Sequence, residues 1–290
     1  MMSKVYRERK AKEGKEMRKL LMFAAMFLGL AVAAEITFPG VIELQSGDLT
    51  VQLKGSNAGS ISAIRYKGTL LTNGVSGMVV AYAGQGYGFV GAGRSYKNAQ
   101  GSVVKEVLEG LTIKVDGKEV DWNAAKKFAG ALIEVEKKSR IEDVDFVQEI
   151  RLDKDGLAEK VTLTPAKEVK IARYYHIVSW NNKFKTFRAG IPGGLFRDGI
   201  LKADNKFVIQ AYCPALILVN ETAGAGVASI FTPAKGFPEI LLWDRGVGAT
   251  EHYVAATGKT WAANTPVSYQ HKIVFAAVSD ADDMQDAAGL

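Results

Sequence analysis

Alternation of apolar and polar residues with period two recurs along almost the whole of this 290-residue chain, and it limits the fold more than any other feature. Segments such as LTVQLK (49–54), ISAIRY (61–66), LTIKV (111–115), DFVQEIRL (145–152), EKVTLT (159–164), ARYYHIVSW (172–180) and SYQHKIVFAAV (268–278) carry the pattern. Successive side chains of a strand point to opposite faces, so each segment reads as a strand with one face on a core. Asp116-Gly117 and Asp155-Gly156 separate such runs, and Asp-Gly supplies the positive φ of tight hairpins. Helix is scarce: WNAAKKFAG (122–130) suggests a short one, and Asp280 is placed to cap another in ADDMQDAAGL. The fold class expected is all-β with little helix, either two large stacked antiparallel sheets or a closed barrel, since some fifteen strands exceed one immunoglobulin-like sandwich. With no repeat and no Pro/Ser-rich linker, residues 35–280 read as one domain, and 281–290 as a C-terminal tail or the start of a helix that is either minimal or cut short in a piece of a longer protein.

The first 34 residues stand apart from that pattern. Arg18 and Lys19 precede an apolar run from Leu20 to Val32 and then Ala33-Ala34, which is the layout of a secretory signal peptide with a small-residue cleavage site. The run is shorter than the ~20 residues a membrane span needs. Residues 1–16 are too charged for a packed domain, and Met17 would serve as an alternative start. A periplasmic or secreted protein is expected, with no stable membrane anchor after cleavage. The leader holds eight of the 37 Lys/Arg and three of the 31 Asp/Glu, so most of the +6 net charge leaves with it. What remains is nearly balanced, which argues against nucleic acid as a partner. The single cysteine, Cys213, lies in FVIQAYCPALILV and reads as a small buried hydrophobe.

Three local patterns resemble the galactose mutarotase-like superfamily. GSISAIRYKGTLL (59–71) is similar to its opening hairpin with a Lys-Gly turn, DFVQEIRLDKDGLAEKVTLTP (145–165) to its central paired strands, and TWAANTPVSYQHKIVFAAV (260–278) to its closing strand. FVGAGRSYKNAQG (89–101) resembles a Gly-Arg loop near the sugar site of aldose 1-epimerases. The resemblance implies a supersandwich whose epimerases use a histidine as general acid on the ring oxygen and a glutamate as general base on the anomeric hydroxyl. Carried onto this sequence, it points to His176 as acid and Glu251 as base, with Arg94 holding a hydroxyl. The sequence departs from the family where Ala99 follows Asn98 and where no His-Pro-Tyr-Phe run occurs.

Alternation puts Tyr174, His176 and Val178 on one face of their strand and Tyr175, Ile177 and Ser179 on the other, so Tyr174 is the expected companion of His176. Trp180, Trp243 and Trp261 offer flat faces for sugar C–H groups, and Glu239 and Asp244 are further carboxylates. No cofactor and no metal are expected, because His252 and His271 lack ligand-like spacing. A Gly-rich stretch, GQGYGFVGAG, is followed by no βαβ unit and reads as a β loop rather than a dinucleotide site. The function expected is an exported carbohydrate-binding protein, acting on sugars if it is an enzyme. The alternative is a non-catalytic β-sandwich module for binding or assembly at the cell envelope.

Overall fold

A computed structural model describes residues 36, 38, 40–84, 88–98, 100–210, 212–232, 237, 239–246 and 248–290. The leader lies outside them. The described residues from Ile36 onward form one compact unit, and none of their helices is long and apolar enough to cross a membrane.

Hairpins dominate, and their turns show why. Asp116 and Gly117 both take positive φ, 49° and 78°, between the paired residues Val115 and Lys118. Lys67 and Gly68 repeat this at 48° and 77° between Tyr66 and Thr69. These are tight turns whose twist matches that of the flanking strands. The Asp155-Gly156 turn differs from expectation. Asp153 pairs with Gly156, so Lys154 and Asp155 are the loop residues. Gly156 is instead required by close packing, since a Cβ there would sit 2.1 Å from the Ile273 carbonyl oxygen.

The strands assemble into a ten-stranded sheet, two five-stranded sheets and a two-stranded ribbon. Nearly every pairing is antiparallel, and the exceptions are Val41–Ser46 with Lys127–Ala129 and the isolated Tyr212–Ile240 bridge. Isolated bridges from Ile61 to Ser76 and from Thr72 to Trp180 stitch the two five-stranded sheets together at their edges. They make one layer facing the ten-stranded sheet, as the supersandwich expectation required. The core between the layers draws Leu44 and Val51 from one five-stranded sheet, Val178 and Val254 from the other, and Phe146, Val161 and Ile273 from the ten-stranded sheet.

The two helix expectations divide. Residues 122–130 form no helix: a turn at Trp122 leads into the strand Lys127–Ala129. Phe128 packs on the core there, while Trp122 stacks on Phe38 and its indole N–H donates to the Leu111 carbonyl. Tertiary packing thus overrides the helix propensity of Ala and Lys. The C-terminal helix does form, over Ala281–Ala288, with the Asp280 side chain accepting the Asp283 N–H. Met284 and Ala288 pack on Ile217, Val219, Ala228 and Val274, so this helix covers the ten-stranded sheet.

Candidate functional site

The sheet that carries the expected site residues contains the strands Gly77–Tyr82, Val169–Asn181, Ala249–Trp261, Glu239–Asp244 and Lys206–Ile209. Val169–Asn181 and Ala249–Trp261 pair antiparallel, with His176 opposite Val254, Val178 opposite His252 and Ser179 opposite Glu251. Residues opposite each other share a face, and adjacent ones alternate. His176 and Glu251 therefore lie on opposite faces of one sheet. The expected acid–base pair is not formed, because the two side chains are separated by the sheet itself.

The inner face carries His176 and His252, and His271 reaches them from the facing ten-stranded sheet, so that all three histidines of the chain join one buried network. His252 Nε2 lies 2.8 Å from the Cys213 carbonyl oxygen and its Nδ1 2.8 Å from Ser229 Oγ. Ser229 Oγ lies 2.9 Å from His271 Nε2, and His271 Nδ1 lies 2.8 Å from Glu159. Gln148 donates to the other Glu159 oxygen at 2.6 Å. His176 Nε2 stands 3.6 Å from Glu159, and its Nδ1 is hydrogen-bonded to the Tyr269 hydroxyl, itself 2.5 Å from that of Tyr174. Burial holds His176 down to about 4, against the opposing pull of Glu159, and holds His252 down to about 3. Both rings are thus neutral at pH 7. Burial acts to raise Glu159, but His176, His271 and Gln148 outweigh it and keep the carboxylate ionised.

Among the described residues, Glu159, His176 and His271 have donor atoms close enough to hold a metal ion, within 4.8 Å of one another. Each donor group is already engaged in the network, as buried polar groups must be. The sequence reading missed this convergence because the histidines are far apart along the chain and meet only when the layers stack. Tyr174 and Trp180 are also corrected as substrate contacts, since both are fully buried in the inter-sheet core. Trp261 is buried beside Tyr174, with ring centroids 5.7 Å apart. Asp244 serves the fold, its carboxylate accepting the Lys202 and Ala203 N–H groups at 2.7 Å each. Cys213 is buried as expected, its thiol pushed up to about 12 by desolvation.

The outer face of the same sheet is different. Tyr175 packs edge-on to Tyr253 with centroids 5.1 Å apart, Phe89 lies 5.4 Å from Tyr175, and Phe207 stacks on Trp243 at 5.5 Å. Trp243 and Tyr175 are half-buried. Glu251, directly opposite Trp243, is 3% exposed and accepts a 2.7 Å hydrogen bond from the half-exposed Arg245, whose guanidinium lies 6.0 Å from the Trp243 ring. Glu239 also faces outward, accepting from Thr257 at 3.3 Å.

Beside this strip is a recess of about 190 Å³ whose lining includes Asn73, Ser179, Arg94 and Arg245. Arg94 is delivered by the Gly-Ala-Gly-Arg motif, which closes as a tight turn. Gly91 N donates to Arg94 O at 3.1 Å and Arg94 N to Gly91 O at 3.0 Å, with φ of 49° at Ala92 and 81° at Gly93. A Cβ on Gly93 would strike Asn57 Oδ1 at 2.2 Å. The turn is anchored from below, where buried Glu106 accepts from Ala92 N at 3.0 Å and Ser139 at 2.8 Å and pairs with buried Lys137 at 2.7 Å. Arg94, Glu251 and Trp243 thus belong to the outer face, together with Arg245 and Ser179, which were not expected to be functional. For Arg245 a signal was present: in LLWDR it shares the parity of Trp243.

An all-β supersandwich whose outer face carries half-buried aromatic rings beside a recess with two arginines is the class these features define. No protein-family model matches the sequence, and no curated protein is significantly similar to it. Solved structures do match. The Slr1438 protein of Synechocystis sp. PCC 6803 aligns with a TM-score of 0.52 at 9% identity, over 86% of this chain and 99% of its own. A glycoside hydrolase family 97 enzyme from Pseudoalteromonas sp. strain K8, solved in complex with acarbose, aligns with a TM-score of 0.51 at 12% identity, over 84% of this chain. The match spans only 38% of that enzyme's length. A galactose mutarotase-like protein from Clostridium acetobutylicum aligns with a TM-score of 0.48 at 10% identity, over 81% of this chain and 95% of its own. The likeness is one of fold, the supersandwich that the sequence resemblance implied.

Proposed function

We propose that this chain is a carbohydrate-binding protein that receives its ligand on the outer face of the sheet, against the half-buried rings of Trp243 and Tyr175, with Arg94 and Arg245 bonding hydroxyls while buried Glu251 holds Arg245 and buried Tyr253 supports Tyr175. The observation that carries the reading is the convergence on one face of flat apolar rings and charged hydrogen-bonding groups, the combination sugars require. The fold, shared with a hydrolase solved with acarbose, supports it. Acid–base epimerisation by His176 and Glu251 is not part of the proposal, since all three histidines face the core. The leader supports export to the periplasm or beyond, which N-terminal sequencing of the exported fraction would check by finding a start near Ala34 or Glu35.

Titration against a panel of neutral and acidic oligosaccharides tests the binding reading. Dissociation constants on the order of 0.1 to 10 mM are expected, because a few ring and hydroxyl contacts must offset desolvation and ordering. Trp243→Ala should weaken binding while His176→Phe, in protein that remains folded, should not. Silence across the panel would overturn the reading. It would favour the alternative of an assembly module, for which Leu195, Phe196 and Ile200, exposed on an edge strand, are the motivating observation.

A further inference from the structure

The recess beside the aromatic strip carries a charge its surroundings do not cancel. Two guanidinium groups, Arg94 and Arg245, line it together with Asn73 and Ser179, and no carboxylate does among the described residues. Arg245 is partly neutralised by Glu251, but that ion pair uses Nη1, and a guanidinium has five N–H donors. Among the described residues the Arg94 guanidinium has no hydrogen-bond or ion-pair partner. Its position is nonetheless built, by the tight turn at Ala92-Gly93 and the Glu106 carboxylate beneath it.

A larger concavity has a different lining. On the outer face of the ten-stranded sheet a trough of about 780 Å³ is lined by Glu119, Glu134, Glu136 and Glu149 as well as by Lys114, Arg151, Lys160 and Lys272. Acids and bases alternate there, as in the 3.0 Å Lys160–Glu149 pair. No Trp, Tyr or Phe lines it. It presents neither an uncompensated charge nor a ring platform, whereas the recess presents the first directly beside the second.

Guanidinium groups bind planar or tetrahedral oxyanions through paired N–H donors more strongly than they bind neutral hydroxyls. We infer that the recess takes an anionic substituent of the saccharide, the carboxylate of a uronic acid or a sulfate ester, between Arg94 and Arg245 while the sugar ring lies on the aromatic strip. The inference rests on the carbohydrate reading above and narrows it to acidic saccharides.

Calorimetric titration of the full chain with two matched pairs of probes separates the two claims: oligogalacturonate and the same oligomer as its methyl ester, and a sulfated neutral oligosaccharide and its unsulfated form. At least one acidic probe should bind roughly 10- to 100-fold more tightly than its uncharged counterpart, the range expected for hydrogen bonds between charged groups. The preference should shrink with added salt. Arg94→Gln should reduce the acid to the affinity of the ester, and Arg94→Lys, which keeps the charge but loses the fork, should fall between. The two acidic probes show which oxyanion is taken. Equal affinity for charged and uncharged forms would overturn the inference and leave the carbohydrate reading standing. Failure of every saccharide to bind would overturn both.

Discussion

The two faces of the Val169–Asn181 and Ala249–Trp261 strand pair are built from interleaved residues of the same sequence, yet they do different work. Inward, Tyr174, His176, Trp180 and His252 are sealed between the layers, and Tyr174, His176 and, through Ser229, His252 are joined to Glu159, His271 and Tyr269. Outward, Tyr175, Ser179, Glu251 and Tyr253 frame an aromatic strip and a recess with two arginines. Burying the histidines and Glu159 carries a cost that their mutual hydrogen bonds offset. Residue type alone is therefore a poor guide to placement here: the histidines, the usual acid–base residues, are buried between the layers, while two arginines line the recess on the outer side.

Tryptophans on the two faces give the largest contrast. Trp180→Ala should destabilise the protein by about 3–5 kcal/mol, the usual result of emptying a buried aromatic site, whereas Trp243→Ala should change stability by less than about 1 kcal/mol and lower saccharide affinity. Urea denaturation alongside ligand titration checks both. Comparable losses of stability would break the comparison.

Acid should act on the inner face next. His176 is held near 4 in the folded protein against 6.5 for a free ring, so the unfolded chain takes up a proton first as the pH falls. The stability tied to the neutral ring is complete above about pH 6.5 and lost on the way down to about 4. For this one group the loss is on the order of 3 kcal/mol. His252, held near 3, acts in the same direction. Thermal denaturation followed from pH 7.5 to 4 should show a falling midpoint, and His176→Phe should flatten the fall. A midpoint independent of pH would contradict the burial of neutral rings.

A smaller effect marks the C-terminal helix, which covers the ten-stranded sheet away from either face of the strand pair. Asp280→Ala should cost about 1 kcal/mol through loss of the capped Asp283 N–H. Saccharide affinity should stay unchanged. A change in affinity would show that the helix is coupled to the site.

Much of the fold was legible because alternation and turn chemistry are local. The Lys67-Gly68 and Asp116-Gly117 turns, the strands on either side of them and the Asp280 cap formed where the sequence placed them. Residues 122–130 misled because the contacts of Phe128 and Trp122 that decide their conformation are distant in sequence. At the site, alternation correctly separated Tyr174, His176 and Val178 from Tyr175, Ile177 and Ser179. It did not tell which set faces inward, because both sets are largely apolar and both are covered. The choice is made by the ten-stranded sheet, through Glu159, Tyr269 and His271, and no local pattern in ARYYHIVSW encodes that.

The account stands or falls on which face meets the ligand. With the four tryptophan indole N–H groups and the three histidine rings assigned by NMR, titration with an oligosaccharide that binds should shift the Trp243 indole signal and leave Trp180, Trp261 and all three histidine rings in place. Movement of the histidine rings with Trp243 unmoved would put the ligand on the inner network and contradict the account.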